Sequence, residues 1–533
     1  MNLKTTIYTK LNDTLRMCSS CGGSNELETV IKEMLARINE PLRVAVVGVM
    51  KAGKSTLLNA IMKEKILMTG SLETTYTVSW FKYAAKPGLK IILRNGEGIS
   101  APFEDLAKWT VRDAKKANPR IDHVKYVEIY YPSEVLKTME LIDTPGLLST
   151  HEIDSNNTLD FLALNKAADE ATKKEASSAD AIIYAFTRGA QQSDVEILQA
   201  FQGENAAGNT SPINAIGVYT KSDIHWNCEM GQDPFESARQ IADNLIENPV
   251  LKDLLYSISP VSALMVESIA ELNEEDWQTL YKLSKLNEYV LLDILFKKSN
   301  FMTWEISDFE EEQEEQYDEE TKRYFCSAGE RGRICAKCGQ YGIYEITGAI
   351  RANISKENIV DYLYEKSGIK GVQELISQHF GNRAFIIKLQ YIFTTLLGTC
   401  SQIVNKSNNS ALIEICQDLK DEIYNLQDTE QIFRELKVLQ NYYNNKLKLK
   451  SGQEVTQLLQ ITGEYGGNCE ARLGAQSGTS IKSLADIAGE RIRYWNARAN
   501  EIPNNRYYEE AANILSRSCD IMHYHLQSLL GVN

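Results

Sequence analysis

Positive charge is what this 533-residue chain is short of: 57 lysines and arginines stand against 72 aspartates and glutamates, for a net charge of −15. Broad nucleic-acid binding needs a basic face that displaces phosphate counterions, so no nucleic-acid partner is expected. Long apolar runs are scarce as well. The start, MNLKTTIYTKLNDTLRM, has no apolar segment of signal-peptide type, and the most apolar later run, AFIIKLQYIFTTLLGTC, is broken by Lys388 and Gln390. These absences predict a soluble, cytoplasmic chain without a membrane-spanning helix. Ten cysteines are few for this length and fit reduced thiols rather than a disulfide framework. Six histidines are scattered with none at a ligand spacing, and no internal repeat stands out. The length exceeds what one compact core supports, which predicts two or three domains.

One stretch is dense in chemistry. GVMKAGKST, Gly48 to Thr56, fits G-x-x-x-x-G-K-[ST] without a mismatch. The β-branched run LRVAVVG before it suits a buried parallel strand, and STLLNAIM after it sets Leu57, Leu58, Ile61 and Met62 at helical spacing. Strand, glycine loop, helix is the context a phosphate-binding loop requires. Gly48 and Gly53 let the backbone wrap closely, so that N–H groups from Met50 through Lys51, Ala52, Gly53, Lys54, Ser55 and Thr56 point at phosphates. Lys54 then reaches the terminal phosphates and the Ser55 hydroxyl reaches Mg²⁺.

Three later segments, in order, narrow the nucleotide to GTP or GDP. MELIDTPGLLST places Asp143 at the end of an apolar strand, where it can hold the Mg²⁺ shell through water, and the Gly146 N–H where it can sense a γ-phosphate. DAIIYAFTR and NAIGVYTKSD are two further strand-like runs, the second ending in Thr220, Lys221, Ser222 and Asp223. A carboxylate at Asp223 accepts from guanine N1–H and the exocyclic amine, whereas adenine would leave it unpaired. Polar mismatch of this kind discriminates by about 10⁴ where it is built in. SISPVSALM then offers Ser262 and Ala263 as the loop that backs the base.

The interval from Lys54 to Asp143 is longer than a minimal small GTPase needs. With GVMKAGKSTLLNAI, ILMTGSLETTYTVSWFKYA, DTPGL, DAIIYAFT, TKSD and PVSAL in sequence, the chain resembles the dynamin superfamily, specifically bacterial dynamin-like proteins, over about residues 40 to 385. The resemblance implies hydrolysis of GTP with Mg²⁺, self-association through the GTPase face and, in many members, membrane remodelling. It places Thr75, with Thr74 as the alternative, at the switch threonine that touches Mg²⁺ and the γ-phosphate; the family's preceding proline is absent. Lys54, Ser55, Thr75 and Lys51 are the candidate catalytic residues. Lys51 occupies a position that in dynamins is commonly serine, where a monovalent cation is held. Its ammonium either replaces that cation or points to solvent and raises the local potential.

The expected architecture is α/β: an N-terminal helical segment (1–40), a P-loop GTPase domain with a mainly parallel sheet (41–385, with an insertion at about 265–365), and a C-terminal helical bundle (386–533). Helical stripes mark the bundle: Leu412, Ile415, Leu419, Ile423 and Leu426; Ile432, Leu436, Leu439, Tyr443 and Leu447; Ile481, Leu484, Ala488 and Trp495; Tyr508, Ala512, Leu515, Cys519, Met522 and Leu526. EYGGNCEARLGAQSGTS reads as a loop. Between Asp308 and Glu320 nine of thirteen residues are acidic, which reads as a solvated face. Cys18 with Cys21, and Cys335 with Cys338, have the form of zinc knuckles; they either meet as four thiolates or remain unliganded. His151 reads as a surface residue. The alternatives to a self-assembling GTPase at membranes are a soluble regulatory switch binding a ribosome or protein complex, and a nucleotide-gated scaffold.

Overall fold

The computed structural model describes residues 3–20, 25–67, 69, 77–111, 119–145, 179–192, 194–195, 198–199, 212–227, 233–296, 298–303, 305, 319–501 and 505–531. Nine strands form one sheet: β1 Leu42–Val47, β2 Val78–Tyr83, β3 Gly88–Leu93, β4 Gly98–Ala101, β5 Val124–Tyr131, β6 Met139–Asp143, β7 Ala181–Phe186, β8 Ala215–Tyr219 and β9 Ile258–Pro260. Their order is β4-β3-β5-β2-β6-β1-β7-β8-β9. From β6 through β1, β7 and β8 to β9 every pairing is parallel. Beyond β6, β2 joins antiparallel, β5 runs parallel to β2, and β3 and β4 alternate direction. The parallel strands are apolar on both sides because both faces are covered: every residue of β6, β7 and β8 is buried. This is the mainly parallel α/β sheet that the sequence implies.

The helices used below are α1 Leu3–Ser20, α2 Asn25–Arg37, α3 Lys54–Met62, α4 Pro234–Ile246, α5 Glu274–Lys285, α6 Ala328–Arg351, α7 Lys356–Lys366, α8 Ala384–Lys406, α9 Ser410–Thr429, α10 Gln431–Tyr443, α11 Gly452–Ile461, α12 Ile481–Ala499 and α13 Arg506–Leu529. The N-terminal segment does more than precede the sheet. Ile7, Leu11 and Cys18 of α1 and Leu27 and Ile31 of α2 share a core with Leu412, Leu419 and Ile423 of α9 and with Val44 and Leu57. Polar ties follow the same path: Lys10 pairs with Glu422 at 3.3 Å, and Arg37 forms a buried ion pair with Asp180 at the start of β7. A second knot joins bundle to sheet, where buried His379 sets Nε2 2.8 Å from the Pro212 carbonyl and Nδ1 2.9 Å from Glu464 Oε1.

α8 is the apolar run noted above. Among the described residues it is the one helix whose length and composition would let it cross a membrane, and half of that window is buried inside the molecule. Lys388 does not interrupt its packing: the side chain is buried and Nζ donates to the Ile38 and Glu40 carbonyls at 3.2 and 2.7 Å. Most stripe residues bury as expected, but Ile432 and Tyr443 are half-buried, Ile481 is exposed and the α12 stripe begins at Leu484. The stretch expected as a loop contains a short helix, Cys469–Arg472. Most of the acidic run lies outside the described residues.

The structure corrects the four-thiolate zinc expectation. Cys18 belongs to the core shared by α1 and the bundle, whereas Cys335 and Cys338 lie on α6 in a separate core with Leu280, Leu283 and Ile334. Spacing within each pair says nothing about where the pairs meet, and tertiary packing keeps them apart. Cys21 lies outside the described residues. Among the described residues, no group of three or more His, Cys, Asp or Glu side chains is placed to hold a metal ion.

α6 opens with a reciprocal cap: Glu330 N donates to Ser327 Oγ at 3.3 Å, and Ser327 N donates to Glu330 Oε2 at 2.9 Å. The Ser327 N–H, helped by Lys282 and the Ser327 hydroxyl and opposed by partial burial, holds the Glu330 carboxyl down at about 2. A depressed carboxylate stabilises the fold above its unfolded value of 4.5 and loses that stabilisation as pH falls toward about 2. Glutamine keeps the reciprocal cap but loses the charge, so Glu330→Gln should cost about 1 kcal/mol near neutral pH once the carboxyl's partial exposure is allowed for. The gap in Tm between variant and native protein should narrow from pH 5 to pH 3; a gap that stays constant in that window would contradict this account.

Candidate nucleotide site

β1 delivers the chain to Gly48, whose φ is 155°. A Cβ there would sit 2.7 Å from the Ala185 carbonyl oxygen of β7, so only glycine lets the loop leave the sheet at this point. The loop then turns through left-handed conformations at Lys51 (φ 62°) and Gly53 (φ 80°) before α3 begins. For lysine that conformation costs about 1 kcal/mol. Lys54, the first residue of α3, is buried and folds back over the loop, Nζ donating to the Gly48 and Val49 carbonyls at 3.2 Å each. Ser55 Oγ donates to Asp143 Oδ2 at the end of β6, 2.7 Å away. Hydroxyl and carboxylate oxygen together are the hard donor set that suits Mg²⁺. Met50 and Ala52 lie in the loop and Thr56 in the first turn of α3.

The base-side loops are tied to the phosphate loop and to each other. Thr220 Oγ1 donates to the Ala52 carbonyl at 2.7 Å and to the Phe186 carbonyl at 3.0 Å. Lys221 reaches across, Nζ donating to the Lys51 carbonyl at 2.8 Å. Ser222 N donates to the Val261 carbonyl at 3.0 Å, which brings the loop after β9 alongside. There Ser262 Oγ donates to Asp223 Oδ1 at 2.6 Å, and Ala263 opens a short helix, Ala263–Glu267. Although the Lys221 residue is exposed, desolvation by the surrounding loops holds its ammonium below the usual lysine value; Asp223 opposes the shift and Lys51 adds to it. Lys51, Lys54 and Lys221 thus gather three positive charges around one loop, an electrostatic fit for a polyphosphate.

Lys51, Lys54, Ser55, Asp143, Thr220, Lys221, Asp223 and Ser262 are therefore brought together. Thr74, Thr75, Gly146 and His151 lie outside the described residues. Two buried residues were not singled out by sequence reasoning. Asn59 of α3 donates to Glu267 Oε1 at 2.6 Å and to the Leu67 carbonyl at 2.9 Å, and Thr69 Oγ1 also donates to Glu267 at 2.8 Å. They fix the chain between α3 and the segment that carries Thr75 to the helix behind Ser262. The signal was a polar residue in the apolar stripe of STLLNAIM.

Comparison with known proteins agrees with this geometry. Residues 44–222 match the model of the dynamin family. Isoniazid-induced protein IniC of Mycobacterium tuberculosis is 26% identical over 493 residues, covering 91% of each chain. Dynamin-like protein 2 of Campylobacter jejuni is 32% identical over 139 residues, 26% of this chain and 22% of its own. Among solved structures, an oligomerised bacterial dynamin pair aligns with 99% of this chain and 74% of its own at 14% identity, with a TM-score of 0.30. The family match runs from Val44 in β1 through β8 to Ser222, and over that span the chain matches the dynamin family; Asp223, β9 and Ser262 lie beyond it.

Proposed function

We propose that this protein hydrolyses GTP to GDP and phosphate at the site just described. The observation that carries the proposal is the joined pair Asp223–Ser262, held against the phosphate loop through Lys221. Asp223 pairs with the guanine edge, Ser262 orients that carboxylate, and Lys221 braces the base loop on the Lys51 carbonyl. Lys54 neutralises charge on the terminal phosphates, and Thr75 orders its segment against the γ-phosphate. Ser55, Thr75 and Asp143 are the residues that would hold Mg²⁺, which offsets phosphate charge when bound. No covalent intermediate is involved; catalysis consists of positioning water and stabilising charge on the transferred group.

On this reading residues 41–385 form the GTPase unit, 1–40 an N-terminal helical segment that joins the bundle core, and 386–533 the helical bundle. GTP orders the segments around Thr75 and Gly146, and these form a self-complementary face between two copies on the cytoplasmic side of a membrane. The dynamin-family match over residues 44–222 and the similarity to Dynamin-like protein 2 support a dynamin-like role. Co-sedimentation with anionic liposomes, with and without a non-hydrolysable GTP analogue, tests this: nucleotide-dependent pelleting is expected. A monomer that never pellets would support the soluble switch instead.

Lys51 is proposed as a fixed charge in place of a diffusible cation. Its carbonyl is held by Lys221 while its side chain is exposed at the loop. GTP turnover should then be nearly equal in sodium, potassium and large organic-cation buffers. Lys51→Ser should lower turnover, by at most the roughly 10³–10⁵ that an arginine finger supplies, and should make it depend on potassium or sodium. Native protein that requires potassium, or unchanged turnover in Lys51→Ala, would refute the fixed-charge role.

A further inference from the structure

α6 carries a break in its middle. Gly339 has φ 68° and ψ 171°, a backbone region that glycine alone occupies readily. The position of this break sets it apart from an ordinary helix defect. A Cβ on Gly339 would lie 3.9 Å from Asp223 Oδ2 and 3.7 Å from Leu264 Cδ2. The insertion therefore bends directly beside the carboxylate that reads the base, next to the oxygen that Ser262 does not engage, since Ser262 Oγ donates to Oδ1.

Both halves of α6 are anchored, and to different elements. Before the break, Arg333 Nε and Lys337 Nζ donate to the two oxygens of buried Asp276 in α5 at 2.8 and 2.6 Å. After it, the Tyr341 and Tyr344 rings pack on Trp226 with centroids 5.7 and 5.2 Å away. Trp226 lies in the base loop itself, and its N–H donates to the Asp223 carbonyl at 3.1 Å. Moving the second half of α6 would pull on Trp226 and hence on the backbone of Asp223. Restoring helical φ and ψ at Gly339 would redirect that half relative to the first.

We infer that the insertion forms the outer wall of the guanine pocket, with Gly339 as a specificity-determining position and Trp226 as the positioning residue that sets the wall's distance from Asp223. The inference rests on Asp223 being the base-reading carboxylate. The bare Gly339 backbone leaves Oδ2 accessible to the guanine edge. A side chain there, or a straightened helix, changes the spacing on which recognition of the exocyclic amine depends.

The test is competition of GDP and IDP, which lacks that amine, against fluorescent GDP on the full chain with Mg²⁺. Native protein should favour GDP over IDP by about tenfold or more, as loss of one hydrogen bond to a charged group implies. Gly339→Ala should lower that ratio by about threefold or more, whereas Gly348→Ala, on the same helix with open space around its Cβ, should leave it unchanged. Trp226→Ala should lower the ratio and Trp226→Phe should restore most of it, which decides the matter if Gly339→Ala does not fold. A lower Tm with an unchanged GDP-to-IDP ratio in Gly339→Ala, or in Trp226→Ala if only that variant folds, would overturn the inference. Failure of the underlying site reading shows separately, as native protein that binds GDP no better than ADP.

Discussion

Asp223→Asn should weaken GDP binding by about a hundredfold or more and strengthen xanthosine diphosphate binding in the same assay. The carboxylate accepts two hydrogen bonds from guanine, and an amide can accept only one while presenting an N–H to the amine. Leaving a buried donor facing a donor costs about 1–3 kcal/mol beyond the lost bond, and bonds to charged groups carry about 1.5–3 kcal/mol each. Xanthine has a carbonyl where guanine has the amine, so the same N–H finds an acceptor. Ser262 Oγ, 2.6 Å from Asp223 Oδ1 in the native protein, should keep an acceptor in the variant, since the asparagine Oδ1 is still an oxygen. The swap of preference, measured by competition with fluorescent nucleotide, separates base recognition from general damage. Equal losses for GDP and XDP would mean that Asp223 supports the loop without reading the base.

Lys54→Ala should abolish detectable GTP turnover and reduce affinity for GTP more than affinity for GDP. In the present structure the ammonium rests on the Gly48 and Val49 carbonyls, both 3.2 Å away, within the loop's concave side. That rest position costs little to leave, because two neutral acceptors are exchanged for charged phosphate oxygens at shorter, charge-assisted bonds. Electrostatic groups aimed at developing charge in a water-poor site are worth about 10²–10³ in rate each. The loop should survive the change, since Gly48, Gly53, Thr220 and Lys221 fix it independently. Circular dichroism and Tm close to native, with no detectable phosphate release, is the expected combination; near-native turnover would contradict the role given to Lys54.

How far such a site can be read from sequence depends on how local its determinants are. The phosphate loop was legible because its shape follows from Gly48 and Gly53 and from the strand and helix beside them. Asp143, Thr220, Asp223 and Ser262 were legible because each follows an apolar strand, and parallel strands deliver their C-terminal ends to one edge. Asp276 with Arg333 and Lys337 was not legible, because the residues are distant in sequence and carry no periodic signal. The same applies to Cys18 and Cys335, whose common spacing suggested a shared site while packing assigned them to different cores. α11 was missed because GQEVTQLLQI carries a narrow apolar stripe, and its start depends on Ser451 accepting from Glu454 N at 3.2 Å. The break at Gly339 was invisible for a further reason: one glycine among several in α6 looks like any other until Asp223 is found beside it.

Phosphate release by the full chain from GTP and from ATP, each with Mg²⁺ and over a range of protein concentrations, tests the central claim most directly. Release from GTP alone is predicted, with a turnover number that rises with protein concentration and is lost in Lys54→Ala. Equal release from ATP, or none from GTP at any concentration, would contradict it.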